Sequence, residues 1–145
     1  MPAFYKVAIV DDHRLLREIL SEVIRNFGYD VILECNHGKS FIEQINSEQL
    51  PDICLLDYSM PVMDGLATAE YIKEHFPSVK ILMYSIKNDP LITRKIESIG
   101  VDAYLHKSAD LSALRALMYR ITSGEACNDK SKDSLCGKDC SNSFS

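Results

Sequence analysis

No stretch of the 145-residue sequence approaches the roughly 18 consecutive apolar residues of a membrane span. The amino terminus, MPAFYKVAIV, lacks the charged-then-apolar plan of a signal peptide. A cytoplasmic protein with no membrane contact is expected. Positive charge is also scarce: 16 Lys and Arg against 21 Asp and Glu leave a net charge of −5. Nucleic-acid binding by this chain alone is therefore not expected, because phosphate contacts need clustered Lys and Arg. Five cysteines, an odd count without an export signal, argue against a disulfide framework. Cys35 and Cys54 lie in apolar segments and read as small core residues. Cys127, Cys136 and Cys140 lie in a polar tail and lack the C-x₂-C pairing of zinc ribbons. No G-x-x-x-x-G-K-[ST] loop is present, which excludes a P-loop nucleoside triphosphatase. No internal repeat is found. What remains, 46% apolar and 26% charged, is the composition of one ordinary globular domain.

Short apolar runs alternate with longer amphipathic ones. The runs Tyr5–Val10, Val31–Cys35, Ile53–Leu56, Lys80–Tyr84 and Val101–Leu105 are β-branched or aliphatic and too short for helices. They read as strands, the central ones buried on both faces as in a parallel sheet. Between them, apolar residues recur at three and four. Leu15 to Phe27 stop at Gly28. Phe41, Ile42 and Ile45 follow, with Ser40 as a cap. Leu66, Ala69, Tyr71 and Ile72 end before Pro77, Leu91 to Ile99 end at Gly100, and Leu111 to Ile121 end at Gly124. Five strands alternating with five helices predict a doubly wound α/β domain over residues 1–124, with right-handed crossovers. Residues 125–145 hold few large apolar side chains, too few to offset the entropy of ordering, and read as a flexible polar tail or the start of a linker.

In such a sheet the site lies beyond the carboxyl ends of the strands. Asp11 and Asp12 follow the first run, Asp57 the third, Ser85 the fourth and Lys107 the fifth. Parallel strands gather three carboxylates, a hydroxyl and an ammonium at one edge. Crowded carboxylates repel, and at least one pKa rises if they stand alone. A hard divalent cation, Mg²⁺ or Mn²⁺, resolves the repulsion with oxygen ligands and retained waters. Lys107 pairs with a carboxylate or a phosphoryl group, and Ser85 donates to a phosphoryl oxygen. These groups suit phosphoryl transfer, with a carboxylate as nucleophile. Taken alone, Asp11 and Asp12 would read as helix caps. Asp64 reads as the cap of the helix opening at Gly65, and His13 and His106 as exposed neighbours of the site.

VDDH at 10–13, LLDYSMPVMDG at 55–65, MYS at 83–85 and AYLHK at 103–107 resemble the receiver domain of bacterial two-component response regulators. The resemblance covers about residues 5–123. VDDHRLLRE and GVDAYLHKSADLSALRALM are most similar to receivers of the NarL/LuxR type, which usually continue into a helix-turn-helix DNA-binding domain. The resemblance implies a (βα)₅ flavodoxin-like fold of strand order 2-1-3-4-5. It implies Asp57 as phosphoacceptor, Asp12 as a direct Mg²⁺ ligand, Asp11 holding the ion through water, and the backbone carbonyl of Ser59 as a further ligand. Ser85 and Tyr104 would switch together, and Lys107 would contact the phosphoryl group. Pro61 and Gly65 would shape the turn after Asp57. Ser59 and Lys87 would flank the approach to the phosphoryl group, which the bulk of Ile86 would narrow. The implied donor is a sensor histidine kinase or a small acyl phosphate. The implied homodimer uses either the face of the fourth helix, fifth strand and fifth helix, carrying Ile92, Ile96 and Tyr104, or the first and last helices.

Other classes fit less well. Aspartyl-phosphate hydrolases carry D-x-D, whereas Asp57-Tyr58-Ser59 lacks the second Asp, so turnover of external substrates is not expected. An FMN carrier needs an uncharged phosphate loop where Asp11 and Asp12 stand. A stand-alone or phosphate-independent interaction module of the same fold remains the alternative.

Overall fold

The computed structural model describes residues 5–60, 63–85, 89–107 and 109–123. Strands and helices alternate: β1 (Lys6–Val10), α1 (Arg14–Asn26), β2 (Asp30–Cys35), α2 (Gly38–Gln44), β3 (Ile53–Asp57), α3 (Gly65–His75), β4 (Lys80–Ser85), α4 (Pro90–Ile99), β5 (Ala103–His106) and α5 (Leu111–Ser123). The strands form one parallel sheet of order β2-β1-β3-β4-β5. This is the expected doubly wound fold.

Two cores sit on the two faces of the sheet, because alternate residues of a strand point to opposite sides. Val7, Ile9, Ile53, Leu55, Leu82, Tyr84, Ala103 and Leu105 pack with Leu20, Ile24, Leu114, Leu117 and Met118 on the side of α1 and α5. Ala8, Val10, Cys54, Leu56, Ile81, Met83 and Tyr104 pack with Phe41, Ala69, Ile72 and Ile96 on the side of α2, α3 and α4. Strands buried on both faces must read as continuous apolar runs. Cys35 and Cys54 are buried free thiols, as expected of small core residues.

The helix ends have identifiable local causes. The Asp64 carboxylate accepts from the Ala67 N–H at 2.9 Å and caps α3. Asp89 caps α4, which opens on Pro90 and closes at Gly100 in the left-handed region (φ 93°). Two expectations are corrected. Ser40 is not the cap of α2. His37 takes that place, its Nδ1 accepting from the Ser40 N–H at 3.0 Å, and the helix starts at Gly38. A β-carbon at Gly38 would run into the Thr68 side chain of α3, so the helix entrance is set by this close packing. Nor do Ile96 and Tyr104 form an exposed face: they are 0% and 3% exposed in the α2–α4 core, and the exposed apolar side chain of α4 is Leu91.

Strand register delivers the site. Val10 pairs with Leu56, Asp57 with Tyr84, and Ser85 with His106. The carboxyl ends of β1, β3, β4 and β5 therefore lie in one row. The strand order reverses between β1 and β3, which is where Asp11 and Asp57 emerge. The expected tail from residue 125, with Cys127, Cys136 and Cys140, lies outside the described residues, as do Pro61, Ile86 and Lys87.

Candidate functional site

Asp11 leaves β1 fully buried. Its backbone N–H donates to the Cys35 carbonyl at 3.0 Å, and its own carbonyl accepts from the Arg17 guanidinium at 2.6 Å. Both carboxylate oxygens have donors: the His13 N–H reaches Oδ1 at 2.8 Å and the Tyr84 hydroxyl reaches Oδ2 at 2.5 Å. Asp12 is exposed, and no described residue donates to its carboxylate. Neither aspartate caps α1. His13 does so, its Nδ1 accepting from the Leu16 N–H at 3.2 Å.

Asp57 closes β3 at 2% exposure. The turn that follows is held by the Tyr58 N–H on the Tyr84 carbonyl and by the Gly65 N–H on the Tyr58 carbonyl, both at 2.9 Å. The exposed Ser59 donates its N–H to Asp57 Oδ1 at 3.2 Å. Gly65 lies so close to this turn that a β-carbon would overlap the Asp57 carbonyl and the Tyr58 Cα. That is the physical reason for a glycine there.

One lysine serves two carboxylates. Lys107 Nζ stands 3.3 Å from Asp57 Oδ1 and 3.9 Å from Asp11 Oδ2, and 5.0 Å above the Tyr84 ring. Its backbone N–H donates to the Ser85 carbonyl at 2.8 Å, tying β5 to the end of β4. Ser85 is 1% exposed and shares a hydrogen bond with the Tyr104 phenol. Burial, then the Asp11 charge, pushes the Asp57 carboxyl up to about 7, against the pull of Lys107 and the Ser59 N–H. Burial and the Asp11 charge also hold the Tyr84 phenol well above its ordinary value, as a neutral donor.

Asp11, Asp12 and Asp57 each offer a carboxylate oxygen within 4.8 Å of the other two. Asp12 and Asp57 line an open cleft of about 540 Å³ together with His13, Leu16, Ser59 and Lys107, and the Asp11 side chain is fully buried next to them. An all-oxygen donor set with excess negative charge fits a hard divalent cation, and the cleft leaves room for its retained waters. The fold thus brings together Asp11, Asp12, Asp57, Ser59, Ser85, Tyr104 and Lys107. His106 is half-buried rather than exposed. Sequence reasoning missed Tyr84 and Arg17. A tyrosine one residue before the end of a buried strand is itself a signal, because its hydroxyl must find a partner there.

Comparison with known proteins agrees with the geometry. The sequence matches the family described as the response regulator receiver domain over residues 7–119. It is 33% identical over 123 residues to the response regulator protein VraR of Staphylococcus saprophyticus, covering 83% of this chain and 58% of that protein. It is 37% identical over 110 residues to the transcriptional regulatory protein YdfI of Bacillus subtilis, covering 75% and 51%. The chain spans about half the length of the curated relatives it matches. Its fold superposes on the signal receiver domain of the response regulator NarL from Mycobacterium tuberculosis with a TM-score of 0.78 at 28% identity, covering 85% of this chain and 99% of that one. The family match, the NarL-type relatives and the shared parallel sheet agree: this chain belongs to the response regulator receiver domain family.

Proposed function

We propose that Asp57 accepts a phosphoryl group from the phosphohistidine of a sensor histidine kinase, or from a small acyl phosphate, in an Mg²⁺- or Mn²⁺-dependent reaction. The observation that carries this reading is the position of Asp57. Its carboxylate is buried at the switch point of the sheet, 3.3 Å from Lys107 and within 4.8 Å of two further carboxylates. Transfer forms a bond from an Asp57 carboxylate oxygen to phosphorus and breaks the P–N bond to histidine, or the P–O bond of the acyl phosphate. The leaving imidazole takes up a proton; the leaving carboxylate needs none. Asp57 must be ionised to attack, and its raised pKa shows that burial opposes this. A bound divalent cation would neutralise the phosphate oxygens and favour the ionised acceptor.

Asp12, exposed to the cleft, would hold that cation directly. Asp11, with both oxygens already accepting hydrogen bonds, would hold it through water. The Ser59 carbonyl would complete the protein ligands. Lys107 then moves from the Asp57 carboxylate to the phosphoryl oxygens, and Ser85 donates its hydroxyl to them. Because Ser85 is hydrogen-bonded to Tyr104, its movement repacks Tyr104 and α4 between two arrangements. Ser59, Ile86 and Lys87 would border the approach and tune the rates. The chain catalyses only its own phosphorylation and dephosphorylation.

Residues 1–124 form the receiver in this reading, and residues 125–145 a tail or linker. Relatives about twice as long carry names of transcriptional regulators, which supports a DNA-binding output domain and control of transcription in the bacterial cytoplasm. Dimerisation through α4, β5 and α5, or through α1 and α5, would couple the switch to that output. The test is intact-protein mass after incubation with acetyl phosphate. The wild type should gain one phosphoryl group with Mg²⁺ and none with EDTA, and Asp57→Asn should gain none. A wild type that takes up no phosphoryl group would favour a phosphate-independent interaction module.

A further inference from the structure

Tyr84 belongs to no part of the site as described by the acidic residues, the switch pair or the lysine, yet it touches two of them. It is 4% exposed, and among the described residues its hydroxyl donates to one acceptor, Asp11 Oδ2 at 2.5 Å. Its ring lies under the Lys107 ammonium. The cause lies in the sheet. Tyr84 pairs with Asp57 across β3 and β4, and its side chain points to the α1–α5 face beneath the end of β1. A buried phenol there has to be hydrogen-bonded, and a buried carboxylate needs donors.

We propose that the Tyr84 hydroxyl is the positioning group for Asp11, fixing the carboxylate between its own O–H and the His13 N–H so that it holds a cation's water in a set place. This rests on the phosphoacceptor reading of the same site. Asp11 Oδ2 is also the oxygen that Lys107 approaches at 3.9 Å. Without the hydroxyl, Oδ2 turns towards the ammonium and the carboxylate loses the orientation that serves the cation. Partners that orient the ligands of a metal typically change its affinity by about 10- to 100-fold when removed.

The experiment is calorimetric titration of metal-free protein with MgCl₂, for wild type, Tyr84→Phe and Tyr84→Met. The Phe variant keeps the ring under Lys107 and removes only the hydroxyl, and the Met variant removes the hydroxyl with a different packing shape. Both should bind Mg²⁺ about tenfold more weakly than wild type, with an unchanged far-ultraviolet dichroism spectrum. Wild-type affinity in a folded Tyr84→Phe or Tyr84→Met protein would reduce the hydroxyl to a core hydrogen bond and overturn the proposal. A wild type that binds no Mg²⁺ would instead remove the phosphoacceptor reading, and the role of Tyr84 with it.

Discussion

Lys107 Nζ lies 3.3 Å from Asp57 Oδ1, in a site where Asp57 is buried beside a second buried carboxylate, Asp11. One ammonium thus offsets part of the charge of two aspartates. The arrangement is under-compensated, and a dication or a protonated Asp57 would balance it.

Removing the ammonium exposes that imbalance. Lys107→Ala should destabilise the metal-free protein at pH 9 by about 3 kcal/mol, because Asp57 is ionised there and two buried carboxylates are left facing each other. Mg²⁺ should restore most of the loss, since the cation takes over the compensation. Thermal melts in EDTA and in excess MgCl₂ measure both terms. A variant as stable as wild type in EDTA would show that the lysine does not balance these charges.

Asp57 itself should be a liability without metal. Its carboxyl titrates near 7 in the folded protein, against an ordinary value of 3.8. The folded state therefore binds this proton more tightly than the open chain does. The resulting stabilisation is complete below the ordinary value and is lost as pH rises through 7. Asp57→Asn should then be more stable than wild type at pH 8 in EDTA, by on the order of 2 kcal/mol. The gap should shrink towards pH 5. Equal gaps at both pH values would refute the assignment.

Gly65 tests the turn that aims Asp57. A β-carbon there meets the Asp57 carbonyl and the Tyr58 Cα, which are backbone atoms with no rotamer to escape into. Gly65→Ala should cost about 1–3 kcal/mol and lower the rate of phosphorylation by acetyl phosphate, because the turn has to shift. Asp64→Ala, which removes the cap one residue earlier, should cost about 1 kcal/mol and leave that rate close to wild type. Similar rates in the two variants would deny the turn its aiming role.

Tyr104 separates switching from phosphorylation. Tyr104 is buried, and its phenol is hydrogen-bonded to Ser85. Tyr104→Phe should take up phosphate to the wild-type extent. The change in amide exchange that phosphorylation causes in α4 should be smaller, because the link from Ser85 to α4 has lost its hydrogen bond. An undiminished response in α4 would place the coupling elsewhere.

Much of this site was legible in the sequence because a parallel sheet aligns the ends of its strands. Once the apolar runs are read as strands, Asp11, Asp12, Asp57, Ser85 and Lys107 have to meet, and register brings them together. What sequence patterning did not carry was the direction of single side chains. Ile96 and Tyr104 look like surface apolar residues on a short helix and an edge strand, but both face the sheet core. His37 displaces Ser40 as a cap because Gly38 must pack against Thr68, a contact remote in sequence. Tyr84 supports Asp11 from 73 residues away: its place near the end of a buried strand signals a hydroxyl in need of a partner, but only the fold says which partner it meets.

The most direct test is to find which carboxylate carries the phosphoryl group. Borohydride cleaves an acyl phosphate by reduction and turns a phosphorylated aspartate into homoserine. After acetyl phosphate and Mg²⁺, peptide mapping of the reduced wild-type protein should find homoserine at position 57 and aspartate at positions 11 and 12. Homoserine at either of those two positions, or at none of the three in a protein that has gained the phosphoryl mass, would contradict the assignment of Asp57.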